Sequence, residues 1–175
     1  MIGITGQIGA GKSFIGEQLR KKGFKVLDAD KAVHKLYCTD NHLRSFIKET
    51  FGEAALTKTG VDRNFLADII FRDEQKRTLL ESFLYPILID FICKENPDYV
   101  EVALLEKTPE LIKKLDEIWV VTAPEQTRMK RLVEKRQMTT EDALRRIKAQ
   151  TGKDTNEDWI RLFEGCKIKF IPNEQ

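Results

Sequence analysis

The 175-residue chain is poor in the features that mark secreted, metal-storing or membrane-spanning proteins. Its three cysteines, Cys38, Cys93 and Cys166, form no CxxC pair and do not cluster with the only histidines, His34 and His42. A disulfide framework and a zinc site are therefore excluded as expectations, and each cysteine reads as a small buried or half-buried hydrophobe in a reducing compartment. No apolar run reaches the length that spans a bilayer. The first residues carry no charged n-region or cleavage pattern, so a cytoplasmic protein without a membrane partner is expected. Charge is nearly balanced: 30 basic against 28 acidic residues leave a formal net charge of +2, and no bulk field calls for nucleic acid. Internal repeats and low-complexity stretches are also absent, so solenoid and linker architectures do not apply.

What the chain does have is Gly6-Gln7-Ile8-Gly9-Ala10-Gly11-Lys12-Ser13, which fits GxxxxGK[ST] and begins directly after the apolar run from Met1 to Thr5. Glycines let backbone N–H groups wrap an anion, Lys12 neutralises β- and γ-phosphate charge, and the Ser13 hydroxyl is suited to Mg²⁺. A helix starting near Lys12, outlined by Ile15 and Leu19 and stopped near Gly23, adds its positive dipole end at the same point. The alternative is a glycine-rich turn joining a strand to a helix. The strand-then-helix context favours a nucleoside-triphosphate site.

Four more segments read as buried strands: Lys25 to Asp28, Tyr99 to Leu104, Glu117 to Val121 and Lys167 to Ile171. Their alternation with helical patterning predicts a parallel sheet covered by helices, with ligands at the carboxyl ends of the strands. Residues 31–96 show helical spacing without a convincing strand and a turn at Thr57-Lys58-Thr59-Gly60, which suggests an inserted helical subdomain. Residues 124–150 read as two basic helices broken near Met138-Thr139-Thr140. The expected organisation is a core of 1–30, 97–123 and 151–175, the insert 31–96 and a lid 124–150.

Asp28 and Asp30 close the second strand, and residues two apart in an extended segment share a face. Both could face the phosphate loop, where a carboxylate positions an acceptor hydroxyl and takes its proton; capping a helix that starts near Lys31 is the competing role. His34 lies one helical turn beyond Asp30, as an acceptor-site contact or a solvent-facing side chain. Glu101, inside a strand, reads as an outer-shell carboxylate for Mg²⁺ or a partner of Lys12. Arg128, Arg131 and Lys135 form a helical stripe at i, i+3 and i+7, either a lid that delivers cations to a transferring phosphoryl group or a solvated basic face.

On these residues, and on the collinear pieces Val61-Asp62-Arg63, Tyr85-Pro86, Val102-Ala103-Leu104-Leu105, Ala123-Pro124-Glu125, Arg146-Ile147 with Gln150, and Ile171 with Asn173, the chain resembles dephospho-coenzyme A kinases over nearly its whole length. The resemblance implies a P-loop NTPase fold, three-layer α/β/α with a five-stranded parallel sheet, a helical coenzyme A subdomain and a lid. It implies MgATP-dependent phosphorylation of the ribose 3′-hydroxyl of dephospho-CoA, with Asp30 as general base, Lys12 and Arg131 on the phosphates, and Gly6, Gly9, Ala10, Gly11, Ser13 and Asn173 around the nucleotide. Asp28, His34, Arg63 and the Tyr85-Pro86 corner fall to the acceptor. Departures from the family pattern are Tyr85 for histidine, Ala103-Leu104-Leu105-Glu106-Lys107 for Pro-Leu-Leu-Phe-Glu, Arg128 for glutamine, Lys135 for arginine, and no helix after the last strand. A monomer is expected. The alternatives are another small-molecule or nucleoside-monophosphate kinase on the same core, and a nucleotide-binding regulator without turnover.

Overall fold

The computed structural model describes residues 1–150 and 152–174. In chain order its elements are β1 (Ile2–Gly6), α1 (Lys12–Lys21), β2 (Val26–Asp28), α2 (Ala29–Thr39), α3 (Asn41–Phe51), β3 (Leu56–Thr57), β4 (Gly60–Val61), α4 (Arg63–Arg72), α5 (Glu74–Glu95), β5 (Tyr99–Glu101), α6 (Pro109–Ile112), β6 (Glu117–Thr122), α7 (Glu125–Arg136), α8 (Thr140–Lys148), α9 (Asn156–Leu162) and β7 (Ile168–Pro172). They divide into two compact units, Met1–Asp28 with Asn96–Gln175, and Ala29–Glu95.

The first unit is built on a five-stranded sheet of order β2-β5-β1-β6-β7, every neighbouring pair parallel. β1 is central and buried on both faces, which explains its apolar run; Ile4 is fully buried, as are Val100 on β5 and Val120 and Val121 on β6. After β1 the chain builds outward on one side through β2 and β5, then on the other through β6 and β7. The carboxyl end of β1 is thus the switch point where open parallel sheets hold ligands. Leu19 of α1 packs with Ile4, Ala10, Tyr99 and Val121, seating the helix behind the glycine-rich loop. Helices α7 and α8 share a smaller apolar cluster of Leu132, Ala143 and Ile147, against which Ile8 of the loop also packs. The break between them is closed by a cap: Thr139 Oγ1 accepts from the Asp142 amide at 3.1 Å.

The expected strand Tyr99 to Leu104 ends at Glu101. Val102 still donates to the Ile4 carbonyl at 2.9 Å, but the chain then closes a 3-10 turn at Leu105–Lys107, locked by Thr108 Oγ1 on the Leu105 carbonyl at 2.8 Å. Two of the three cysteines also depart from the buried or half-buried setting expected of them. Cys38 and Cys93 are exposed and Cys166 is half-buried, because the buried positions of α2 and α5 go to larger side chains such as Leu36, Tyr37, Leu88 and Ile92.

The second unit is mainly helical, and the turn at residues 57–60 proves to be the tip of a two-stranded antiparallel hairpin, Leu56 opposite Val61 and Thr57 opposite Gly60. Helix α5 runs unbroken for 22 residues with Pro86 inside it, so Tyr85-Pro86 is not a corner. Leu80, Leu84, Leu88 and Ile92 recur every fourth residue on its buried side, and that packed stripe carries the helix across the missing proline N–H. Helix α4 is started by Asp62, whose Oδ1 accepts from the Asn64 and Phe65 amides at 3.1 and 3.0 Å. Replacing it, Asp62→Ala, is expected to lower stability by about 1 kcal/mol, measured as a lower denaturation midpoint at unchanged m-value.

Candidate active site

The glycine-rich loop lies between β1 and α1, and its conformation is that of an anion cradle. Among the described residues, the amides of Gly9, Gly11 and Ser13 have no hydrogen-bond acceptor, while α1 begins at Lys12 and points its dipole at the same place. Two glycines are forced by crowding as well as by φ. A Cβ on Gly9, at φ +76°, would lie 2.9 Å from the Arg128 carbonyl oxygen; one on Gly11, at φ +94°, would lie 2.2 Å from Asn173 Nδ2. Lys12 Nζ donates to the Gly6 carbonyl at 2.9 Å and the Gln7 carbonyl at 3.3 Å, which holds the ammonium across the loop.

Ser13 Oγ donates to Glu101 Oε1 at 2.7 Å. Glu101 is 8% exposed, and in the sheet it sits beside Asp28, its register partner on β2. Burial pushes the Glu101 carboxyl above its ordinary value and the Asp28 charge adds to this, while the Ser13 bond and the Lys12 and Arg20 cations act the other way. Its second oxygen, Oε2, is buried without a partner among the described residues. No group of three or more His, Cys, Asp or Glu among the described residues could hold a metal alone. A hydroxyl with an underused carboxylate behind it fits Mg²⁺ that takes its remaining ligands from water and nucleotide oxygens.

The outer side of the loop is held by α7 and the end of β7. Arg131 Nη1 donates to the Gly9 and Ala10 carbonyls at 3.1 and 3.0 Å, and Nη2 to the Asn173 carbonyl at 2.9 Å. Asn173, 5% exposed, donates Nδ2 to the Ala10 carbonyl at 2.9 Å. Ala10 is fully buried beneath them. The basic stripe of α7 is therefore not one kind of surface. Arg128 is 4% exposed with Nε unpartnered among the described residues, Arg131 is half-buried and Lys135 is exposed. Burial lowers the Arg128 pKa, and the Glu125 and Asp154 charges oppose that; a guanidinium stays protonated regardless. Arg146 is exposed on α8. Sequence reasoning missed Gln7 and Lys153: Gln7 Nε2 donates to the Lys153 carbonyl at 2.7 Å. A polar loop residue that is 5% exposed implies a partner, but nothing local names one.

The remaining candidates lie in the second unit. The premise that Asp28 and Asp30 share an extended face fails, because β2 ends at Asp28 and α2 starts at Ala29 rather than near Lys31. Asp30 is exposed in the first turn of α2, and exposed His34 follows it on that helix. Arg63 is exposed at the start of α4, and its charge partly offsets the burial that raises the Tyr37 pKa to about 12. Tyr85 is half-buried in the middle of α5.

A family model described as dephospho-CoA kinase matches residues 1–161. A dephospho-CoA kinase of Staphylococcus aureus (strain N315) is 33% identical over 163 residues, 88% of this chain and 78% of that protein. Among solved structures, a Thermus thermophilus protein is similar with a TM-score of 0.77 at 27% identity, covering 99% of this chain and 88% of that one. A dephospho-CoA kinase from Campylobacter jejuni has the same fold, TM-score 0.63 at 24% identity, over 99% of this chain and 88% of its own. The fold is accordingly the three-layer α/β P-loop kinase fold with its five-stranded parallel sheet.

The raised Glu101 pKa fixes a sign for stability. The folded state holds the Glu101 proton more tightly than the unfolded chain, so stability is lost as pH rises from the unfolded value through the folded one. Glu101→Gln removes that buried charge and keeps an acceptor for Ser13. The melting temperature at neutral pH is expected to rise, with the gain shrinking as pH falls through the Glu101 titration; a melting series over pH checks it.

Proposed function

The chain belongs to the dephospho-CoA kinase family, and from that membership we infer an enzyme that transfers the γ-phosphoryl group of ATP to dephospho-CoA, giving CoA and ADP in coenzyme A biosynthesis. The acceptor is the ribose 3′-hydroxyl. Its oxygen attacks the γ-phosphorus, the bond from that phosphorus to the β-γ bridging oxygen breaks, and the hydroxyl proton passes to the carboxylate of Asp30. The observation that carries the nucleotide half of this reading is the cradle: open amides of Gly9, Gly11 and Ser13, Lys12 on the loop and the Ser13–Glu101 pair.

Each residue has a distinct task in this scheme. Gly6, Gly9, Ala10 and Gly11 give the loop its shape, and Lys12 offsets charge on the β- and γ-phosphates. Mg²⁺, when bound, supplies Lewis-acid charge stabilisation to the phosphate oxygens. Ser13 would hold it, with Glu101 orienting its water ligands. Arg131 adds a cation at the loop while fixing the Gly9 and Ala10 peptides, and Asn173 supports the same carbonyl and the nucleotide side. Asp28, His34, Arg63 and Tyr85 serve acceptor recognition, residues 31–96 form the acceptor subdomain, and 124–150 act as a lid that excludes water from the transfer. The reaction belongs to the cytoplasm, with a monomeric enzyme and no nucleic-acid partner; no helix of the described residues is long and apolar enough to cross a membrane.

The test is ADP release from MgATP by the purified protein with and without dephospho-CoA, with mass analysis of the product. Acceptor-dependent release and a product heavier by one phosphoryl group are expected; nucleotide binding without either overturns the assignment of the acceptor. Asp30→Asn is expected to lower kcat by about 10²–10⁴-fold while ATP affinity, followed by calorimetric titration, stays at the wild-type value.

A further inference from the structure

We propose that Gln150, two residues beyond α8, is a positioning residue for the phosphate loop: it fixes one peptide plane on which the placement of Lys12 depends. The Ile8 amide donates to Gln150 Oε1 at 2.7 Å, a contact between residues 142 positions apart. That amide belongs to the same planar peptide as the Gln7 carbonyl, and in a trans peptide the two groups point in opposite directions. On the opposite side, the Gln7 carbonyl accepts from the Ala10 amide at 3.2 Å, closing the turn of the loop, and from Lys12 Nζ at 3.3 Å. The plane cannot rotate without breaking all three bonds. Gln150 is the side chain that holds the amide end of that plane, opposite the carbonyl end held by Lys12.

The surroundings keep Gln150 and Ile8 from moving together. Ile8 packs against the α7–α8 cluster of Leu132, Ala143 and Ile147. Gln7 is tied to the Lys153 carbonyl, and Lys153 is itself anchored: its ammonium pairs with Glu106, both side chains at most 20% exposed, and lies over the Trp159 ring at 5.6 Å from the centroid. The front of the loop is therefore strapped by Gln150 and Lys153 while its outer carbonyls are strapped by Arg131 and Asn173. Gln150 touches no reacting atom; it acts through the Gln7–Ile8 peptide on Lys12 and on the turn that opens the cradle.

The proposal rests on the reading of this loop as the nucleotide site, and the two are separable by experiment. Gln150→Met keeps length and volume without the amide oxygen; Gln150→Asn keeps the amide but withdraws it by one methylene, and serves if the first variant does not fold. Affinities for ATP, adenosine and dephospho-CoA are measured by titration calorimetry, alongside the melting temperature. ATP binding is expected to weaken about tenfold, the scale of one buried hydrogen bond, with adenosine and dephospho-CoA affinities unchanged whatever small fall in melting temperature the unpaired Ile8 amide causes. Unchanged ATP affinity in a folded variant overturns the proposal, as does parallel weakening of all three ligands with a fall in melting temperature, which is mere structural support. Absence of ATP binding by the wild-type chain overturns the reading of the loop, and the proposal with it.

Discussion

A backbone that turns its amides inward to meet an anion must turn carbonyls outward, and in this protein the satisfaction of those carbonyls is the constraint from which the site follows. A buried unpaired carbonyl costs about 1–3 kcal/mol, and the loop has several to satisfy away from solvent. Arg131 and Asn173 meet on Ala10 O, Arg131 also takes Gly9 O, and Lys12 takes Gly6 O and Gln7 O. The donors come from α7, the end of β7 and the start of α1, three elements distant in sequence. The cradle is thus a product of the assembled unit rather than of the glycine-rich segment alone, and α7 has a structural reason to lie against Gly9 independent of any closing motion.

The electrostatics of the site follow the same logic. Placing Glu101 at the end of a buried strand, next to Asp28, is unfavourable by itself, since burial and a like charge both resist ionisation. Ser13, Lys12 and Arg20 compensate in part, and one carboxylate oxygen is left without a partner. A core position that keeps an under-satisfied acid costs stability that a well-packed apolar residue would not.

How much of this was legible in the sequence depended on whether the signal was local. The phosphate loop and its flanking strand and helix were readable because each rests on residues close together in the chain. The five strands were readable one by one, though β5 is shorter than its apolar run because Thr108 closes a turn on Leu105. Asp30 departs from the expected strand for an equally local reason: a spacing of two shares a face only in extended geometry, and α2 begins one residue after β2 ends. Arg128, Arg131 and Lys135 have the spacing of one face, but helical spacing says nothing of what covers each turn, and burial separates the three. Gln150 was visible as a match to the family pattern and silent as to role, because its partner is a backbone amide 142 residues away, and a backbone partner leaves no trace in side-chain pattern.

The insertion of the helical unit between β2 and β5 also orders the assembly of the sheet. These strands are adjacent, and the Lys25 amide reaches Asp98 Oδ2, 73 positions along the chain, at 2.7 Å. Closing so long a segment as a flexible chain opposes pairing by an entropy that grows with the logarithm of its length, whereas a segment already collapsed on its own core presents its two ends at short range. A segment Ala29–Glu95 collapsed on its own core would shorten the effective loop that the pairing of β5 with β2 must close. A core defect in Ala29–Glu95 is thereby felt in the sheet as a costlier pairing of β2 with β5.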